Sequence, residues 1–351
     1  MIRAMPKHVT LADIAEQSQV SLSTVSLVLR NRPGITEETR QRVLTVAQEL
    51  GYRLKGQSNG RMTNTQANGG QVKRIGLVVK TELNLPPQTN LFYAQVLAGI
   101  AEACRQKQIN LLYSLLPVDE HSHPTTLPHL LDEDPVDGIL LVGAYVPLAF
   151  DQFFAERALP VVLVDAYAAS GRYDAVVSDN RRGAYEAVDY LLQRGHRHIA
   201  IVGSQPDAYP SICERREGYE QALRDRGVAE RYFTASSLNP EETSQAVTAL
   251  LTAQPQITAL FGCNDSVAIA ASRSAQMMGR RLPEELAVIG YDDVEMAQHV
   301  TPALTTLHVD KIGMGRLAIQ LLLNRVEYPE ANYVTLTLRP RLVERHSVLG
   351  R

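Results

Sequence analysis

The chain has no tryptophan and only three cysteines in 351 residues. An odd, scattered set (Cys104, Cys213, Cys263) excludes a disulfide framework and suits reduced thiols in a reducing compartment. No apolar run reaches the roughly 20 residues a membrane helix needs. The N-terminal Met-Ile-Arg-Ala-Met-Pro-Lys lacks an apolar core, so no signal peptide and a cytoplasmic location are expected. There is no GxGxxG string, P-loop or GxSxG elbow. His121, His123 and His129 share a Pro- and Thr-rich stretch, but without cysteine or helical spacing they do not make a metal site. Asp292 and Asp293 are neighbours, and adjacent side chains point apart, which argues against acid/base chemistry. The chain therefore reads as no enzyme, with no cofactor and no metal.

What is present is concentrated between residues 10 and 51. Thr10 can cap a helix, with Asp13 three residues on, and Leu11, Ile14 and Ala15 form its apolar face. Gln17-Ser18-Gln19 interrupts the pattern, Val20 plugs a turn, and Ser21 caps a second helix. Along that helix Val25, Val28 and Leu29 point inward, while Leu22, Ser23, Ser26 and Leu27 point outward. Pro33-Gly34 ends it. Thr36 caps a third helix with Glu37 and Glu38 at its positive end and Val43, Val46, Ala47 and Leu50 as its stripe, and Gly51 stops it. Two short helices joined by so tight a turn spell a helix-turn-helix, which places a helix N-terminus in the DNA major groove.

The remainder alternates strand and helix. Ile75–Val79, Ile109–Leu116, Gly138–Val142, Val161–Val164, Ile199–Gly203, Thr258–Gly262 and Ala287–Gly290 are apolar runs fit for buried strands, and Phe92–Lys107 is an amphipathic helix. This is the pattern of parallel sheets covered on both faces. The fold class is α/β: a three-helix headpiece (8–55), a flexible linker (56–73) and a two-lobed body (74–345). Each lobe is a mainly parallel sheet flanked by helices. Lobe 1 takes roughly 74–176 and 308–326, and lobe 2 roughly 177–307 and 327–345.

The formal net charge of −3 hides an asymmetry. Residues 1–74 hold eleven basic and five acidic side chains, a local balance of +6 that leaves −9 on the body. Phosphate affinity follows local positive charge, so the headpiece is the DNA-facing part and the acidic body is repelled from the duplex.

Val9-Thr10-Leu-Ala-Asp-Ile-Ala, Val20-Ser21 with Thr24-Val25-Ser26, and Thr36-Glu-Glu-Thr-Arg40 resemble the headpiece of LacI-type (LacI/GalR family) repressors. The resemblance runs on in order through Val136-Asp137-Gly138-Ile139, Asp179-Asn180 with Gly183, and Gly195-His196-Arg197. It continues at Arg215 with Gly218-Tyr219, Asn264-Asp265, Ile289-Gly290-Tyr291-Asp292-Asp293 and Leu304-Thr305-Thr306. It implies a sequence-specific transcription regulator, most simply a repressor, with a body like a periplasmic binding protein and a small polar effector held between the lobes. The alternative reading is a solute-binding protein without a DNA role.

The carboxyl ends of parallel strands are where such sheets bind ligands. That rule and the resemblance converge on Asp165, Arg215, Asn264 and Asp292, side chains able to hold hydroxyl pairs, with Phe92, Tyr93 and Tyr209 as aromatic walls. A sugar or sugar derivative fits this set. Asp165 could instead cap the following loop, and Arg215 could pair with Glu214. Asp265 is expected to cap the helix 265–278, leaving Asn264 as the ligand group, and Asp293 to be structural.

Three departures from the family pattern stand out. Residues 56–71 are rich in Gly, Asn, Gln and Thr and lack the leucine with which such hinges wedge the minor groove; Met62 is the one substitute, against a plain tether. Leu27 stands where arginine is common, and Arg30 where asparagine is common. Ser21, Thr24 and Arg30 are expected at phosphates, Thr10 is expected among the DNA-binding residues, and Leu22, Ser23, Ser26 and Leu27 select sequence. One headpiece makes too few contacts for specificity, so a homodimer on a near-palindromic operator is expected, with half-sites about 34 Å or a small multiple apart. No heptad tail is present to build tetramers.

Leucine packs on a thymine methyl and cannot bond guanine. Selection of bound duplexes from a random pool is expected to return a half-site that departs from the common family one at the base facing Leu27; recovery of the common half-site would contradict this.

Overall fold

The structure is a computed structural model that describes residues 11–29, 35–50, 72–82, 91–119, 121–126, 136–234 and 238–350. The chain forms two compact units, Met1–Asn68 and Gly69–Arg351.

The first unit holds α1 (Leu11–Ser18), α2 (Leu22–Leu29) and α3 (Glu37–Glu49). Ile14, Val25, Val28, Val43, Ala15 and Ala47 close its small core, with Val20, Ile35, Val46 and Leu50 packed against it. The turn from α1 to α2 passes through Gln19 at φ 54, a left-handed conformation that lets the chain reverse in two residues. Val20 plugs this turn, and its amide donates to the Ala15 carbonyl at 3.1 Å. Ser21 caps α2 by accepting the Thr24 amide at 3.1 Å. Thr36 accepts the Thr39 amide at 3.4 Å at the start of α3.

The second unit contains two parallel sheets. The first has six strands in the order β13-β7-β5-β3-β1-β2, all parallel: β1 (Arg74–Glu82), β2 (Asn110–Val118), β3 (Gly138–Val142), β5 (Val161–Val164), β7 (Asp174–Ser178) and β13 (Thr335–Leu338). The second runs β11-β10-β8-β9, with β8 (Ile199–Val202), β9 (Tyr232–Phe233), β10 (Ala259–Gly262) and β11 (Ala287–Ile289). β12 (Thr306–His308) and β14 (Arg341–Val343) form an antiparallel pair that continues from β11 through a bridge between Ile289 and Thr305. β4 (Tyr145–Val146) and β6 (Tyr167–Ala168) make a short pair beside the first sheet.

Six helices flank these sheets: α4 (Leu91–Gln106), α5 (Leu148–Glu156), α6 (Asn180–Gln193), α7 (Pro210–Asp225), α8 (Pro240–Ala253) and α9 (Asp265–Met277); a seventh, α10 (Lys311–Glu327), packs against α4. The α4–α10 contact is backbone-close. A Cβ on Gly99 would lie 2.2 Å from the Ile312 carbonyl oxygen, and one on Gly315 would lie 2.3 Å from that of Val96. One large core runs from α4 and the inner face of the first sheet through α6 and α7 into the second sheet, which joins the lobes into one body.

The lobe boundary differs from expectation at the C-terminal end. Thr335–Leu338, expected in lobe 2, is the edge strand of the first sheet. The cause is a buried ion pair. Arg325 on α10 donates bidentately to Asp174 at the start of β7, at 2.7 and 3.0 Å. The same guanidinium holds the carbonyls of Pro329, Ala331 and Asn332, and Asp174 accepts the Val334 amide at 2.8 Å. The segment is thereby delivered to the open edge of β7.

Removing one partner of a buried pair leaves an uncompensated charge. Asp174→Ala is expected to lower stability by about 3–5 kcal/mol in urea unfolding; a loss typical of a surface ion pair would contradict the role assigned to this pair.

Candidate DNA-facing surface and interlobe cleft

On the headpiece, Ser21 and Thr24 meet in the α2 cap, their hydroxyls 2.8 Å apart, and Leu27 is 40% exposed although every other described apolar side chain of α2 is buried. An exposed leucine on a cored helix leaves an apolar spot open to a partner. The side chains of Leu22, Ser23 and Ser26, and all of Thr10, Arg30 and Met62, lie outside the described residues.

In the body, seven predicted residues come from separate segments. Asp165 follows β5, Arg215 lies on α7, Asn264 follows β10 and Asp292 follows β11; Phe92 and Tyr93 begin α4, and Tyr209 precedes α7. Two connected groups result. In the first, the Tyr93 hydroxyl donates to the Asp165 carboxylate at 3.0 Å. The Tyr209 hydroxyl crosses from the second lobe to the carbonyls of Ala144 and Asp165, at 3.2 and 3.1 Å. The Phe92 and Tyr93 rings meet edge to face, 5.3 Å apart.

The second group centres on Arg215, which is 5% exposed. Its guanidinium donates to Asn180 Oδ1 at 3.0 Å, to the Cys263 carbonyl and to Asp292 Oδ1 at 3.2 Å, and stacks 3.7 Å from the Tyr291 ring centroid. The partner of Arg215 is Asp292 and not Glu214. Glu214 turns to the first lobe and accepts from the Tyr167 hydroxyl at 3.1 Å and from Asn180 Nδ2 at 3.0 Å.

Asn264, and not Asp265, is the cap. Asn264 is extended at φ −146, so its Oδ1 reaches forward to the Val267 amide at 2.8 Å and caps α9. Asp265 is already inside the helix, fully buried, and accepts from the Val294 amide and the Thr306 hydroxyl. Asn264 keeps its Nδ2 donors for another partner. Asp293 is held by His308 at 2.8 Å and Arg345 at 2.6 Å, the structural role expected of it.

Burial dominates the electrostatics. It raises the Asp165 carboxyl to about 6, with Arg215 pulling the other way. It raises Asp292 too, against Arg215 and Lys311, and raises Glu214 against its bonds to Asn180 and Tyr167. Burial alone would lower Arg215, but Asp292 and the groups around it turn the shift upward. Asp165, Asp292 and Asp293 all adopt positive φ (46, 108 and 54). Non-glycine residues in that region cost of order 1–3 kcal/mol each and cluster at binding sites.

Three residues of the cleft were not anticipated. Lys80, near the end of β1, bonds Ser122 Oγ at 3.2 Å and lies 4.9 Å from the Tyr209 ring centroid. Lys311, 1% exposed at the start of α10, donates to the carbonyls of Asp292 and Asp293 and sits 5.9 Å from the Phe92 centroid. Asn180 links Arg215, Glu214, Tyr167 and the Ser178 carbonyl. The strand-end rule points to Lys80 and, at the end of β7, to Asn180; no local signal marks Lys311.

The histidines and thiols stay outside this chemistry. His196 is satisfied by Thr258 Oγ1 and the Leu349 carbonyl, and His198 by the Tyr232 hydroxyl. Burial pushes the Cys104 and Cys263 thiols up to about 11 and about 12, away from reactive thiolates. His129 lies outside the described residues, among which no group of three or more His, Cys, Asp or Glu side chains could hold a metal ion. No described helix is long and apolar enough to cross a membrane.

A three-helix unit in a basic N-terminal segment, joined to two parallel-sheet lobes with a buried arginine–aspartate pair in the second, is the architecture of a ligand-responsive DNA-binding regulator. Comparison with known proteins agrees. Residues 10–54 match the family of bacterial regulatory proteins of the lacI type, and residues 188–348 match the periplasmic binding protein-like domain. The chain is 32% identical to the ribose operon repressor of Haemophilus influenzae, over 97% of this chain and 98% of that protein. It is 30% identical to the transcriptional repressor PurR of Klebsiella pneumoniae (strain 342), over 97% and 96%. Among solved structures it resembles the regulator CelR in complex with cellobiose (26% identity, TM-score 0.67, 97% of this chain and 99% of that one). It also resembles a LacI family regulator from Enterococcus faecium with bound ribose (26%, TM-score 0.68, 80% and 100%). The chain belongs to the LacI family: it is a DNA-binding transcriptional regulator and not an enzyme.

Asp265 carries a pH prediction. Burial, reinforced by Asp292, raises its carboxyl from 3.8 to about 8. The folded state then holds a proton that the unfolded chain has released, so stability falls as pH rises through that window. An amide keeps both contacts without titrating. The melting temperature of the parent chain relative to Asp265→Asn should therefore drop steadily between pH 5 and 8; a difference independent of pH would refute it.

Proposed function

We propose that the regulator is controlled by a small polar effector of the carbohydrate class, held between the lobes by Asp165, Arg215, Asn264 and Asp292. Phe92, Tyr93 and Tyr209 supply its apolar walls. The observation that carries this reading is that Asp165, with the Tyr93 and Tyr209 hydroxyls bonded to it, lies within electrostatic reach of the buried Arg215–Asp292 pair. Planar bidentate side chains such as carboxylate and guanidinium can hold two hydroxyls of one ligand at once. The ribose- and cellobiose-bound relatives support the same class.

The effector acts on a dimer that binds a near-palindromic operator in the cytoplasm. Ser21, Thr24 and Arg30 contact phosphates, Thr10 is among the DNA-binding residues, and Leu22, Ser23, Ser26 and Leu27 face bases. Met62 supplies the minor-groove wedge if the linker orders on DNA. A ligand shifts operator affinity only to the extent that it binds one lobe arrangement better than the other.

A melting-temperature screen over sugars, sugar phosphates and purines tests the reading. At roughly a hundredfold excess over Kd, a cleft ligand adds about 2.7 kcal/mol and raises the melting temperature by several degrees. The double variant Arg215→Met, Asp292→Leu replaces the buried pair by apolar groups of similar size, so it should fold and lose the shift. A shift from a sugar that survives unchanged in this variant would place the effector elsewhere.

A further inference from the structure

A groove of about 560 Å³ is lined in part by Tyr167, Asn180 and Glu214, and none of the seven cleft candidates lines it. It arises from the unexpected position of β13. Phe150, Phe153 and Phe154 of α5 pack over the outer-face core with Leu163 and Ala175. Thr335 and Thr337, on the edge strand beyond, stay exposed and form one wall of the groove.

We propose that this groove is a second ligand site, for a neutral polyhydroxylated molecule. Its volume falls within the range of small-molecule sites, about 300–1,000 Å³. Its lining mixes tyrosine rings (Tyr167, Tyr173, Tyr333) with hydroxyls, carboxylates (Asp179, Glu214, Glu217) and a guanidinium (Arg181). The N-terminus of α6 also opens there. Three carboxylates against one guanidinium disfavour an anion, whereas neutral hydroxyls can donate to the carboxylates and accept from the guanidinium. Aromatic faces suit the C–H side of a sugar. A further observation is independent of that composition: the Ser170 hydroxyl oxygen, in the lining, is buried and has no hydrogen-bond partner. A buried hydroxyl left unmade costs about 1–3 kcal/mol, which a ligand hydroxyl recovers where the lining shifts to open this oxygen to the groove.

The site would regulate as well as bind. Tyr167, Asn180 and Glu214 line it, and Asn180 Oδ1 is the acceptor for Arg215 Nε. A ligand that takes over the Tyr167 or Glu214 bond acts on the amide that orients the central guanidinium of the cleft. This consequence rests on reading the cleft as the effector site; occupancy of the groove does not.

Saturation-transfer NMR on the full chain, with D-ribose, D-glucose and cellobiose as probes, tests the proposal. Four proteins are compared: the parent, Arg215→Met with Asp292→Leu, Thr335→Tyr, and the triple variant. Thr335→Tyr fills the groove from an exposed edge-strand position with a good strand former, and Thr337→Tyr is a second blocking variant. The cleft-disabled protein should keep transfer to at least one probe, and adding either tyrosine should cut that transfer about tenfold. No transfer to any probe in the cleft-disabled protein, or transfer indifferent to both tyrosines, overturns the groove. Equal transfer in the parent and the cleft-disabled protein instead supports the groove and counts against the cleft as a site for these sugars.

Discussion

A guanidinium cannot be neutralised, and moving one out of water costs several kcal/mol unless its donors are met. Arg215 is such a group, buried where the two sheets of the body meet. The local architecture answers that demand: Asp292 supplies the opposite charge, the Cys263 carbonyl closes a second side, and Asn180 a third, while the Tyr291 ring covers one face. Apolar residues would fill this volume at less cost. Retaining an ion pair within the second lobe, in electrostatic reach of Asp165 on the first, makes physical sense where the pair has a partner to exchange, and a ligand rich in hydroxyls is such a partner.

The lobes are held by side chains as well as by chain crossings. Tyr209 reaches from the second lobe to backbone carbonyls of the first, and Tyr167 reaches back to Glu214. Each bond is one hydroxyl, worth about a kcal/mol net, so the lobes are tied without being locked. Positive-φ aspartates at the carboxyl ends of β5 and β11 add strain at the same place. Weak ties and local strain around a satisfied centre suit a body with two arrangements of similar free energy, the condition for a ligand to select between them.

Much of this was legible in the sequence. The headpiece core of Ile14, Val25, Val28, Val43 and Ala47 follows from helical spacing, and Ser21 and Thr36 cap where capping rules put them. The buried strands follow from apolar runs, and the places of Asp165, Asn264 and Asp292 follow from the ends of those strands. What was not legible has physical reasons. Asn264 takes the cap expected of Asp265 because a cap depends on one residue's backbone angles, which sequence does not display. Thr335–Leu338 alternates polar and apolar and could pair with either sheet; its place is decided by Arg325 and Asp174, 151 positions apart. Lys311 enters the cleft only because α10 docks on α4 at two glycines.

The most direct test of the account is a crystal structure of the chain with the ligand that most raises its melting temperature. The account predicts the ligand between the lobes, with its hydroxyls within hydrogen-bond distance of Arg215 and Asp292 and an aromatic ring of Phe92, Tyr93 or Tyr209 against it. A ligand bound elsewhere, with the arginine–aspartate pair buried and untouched, would contradict it.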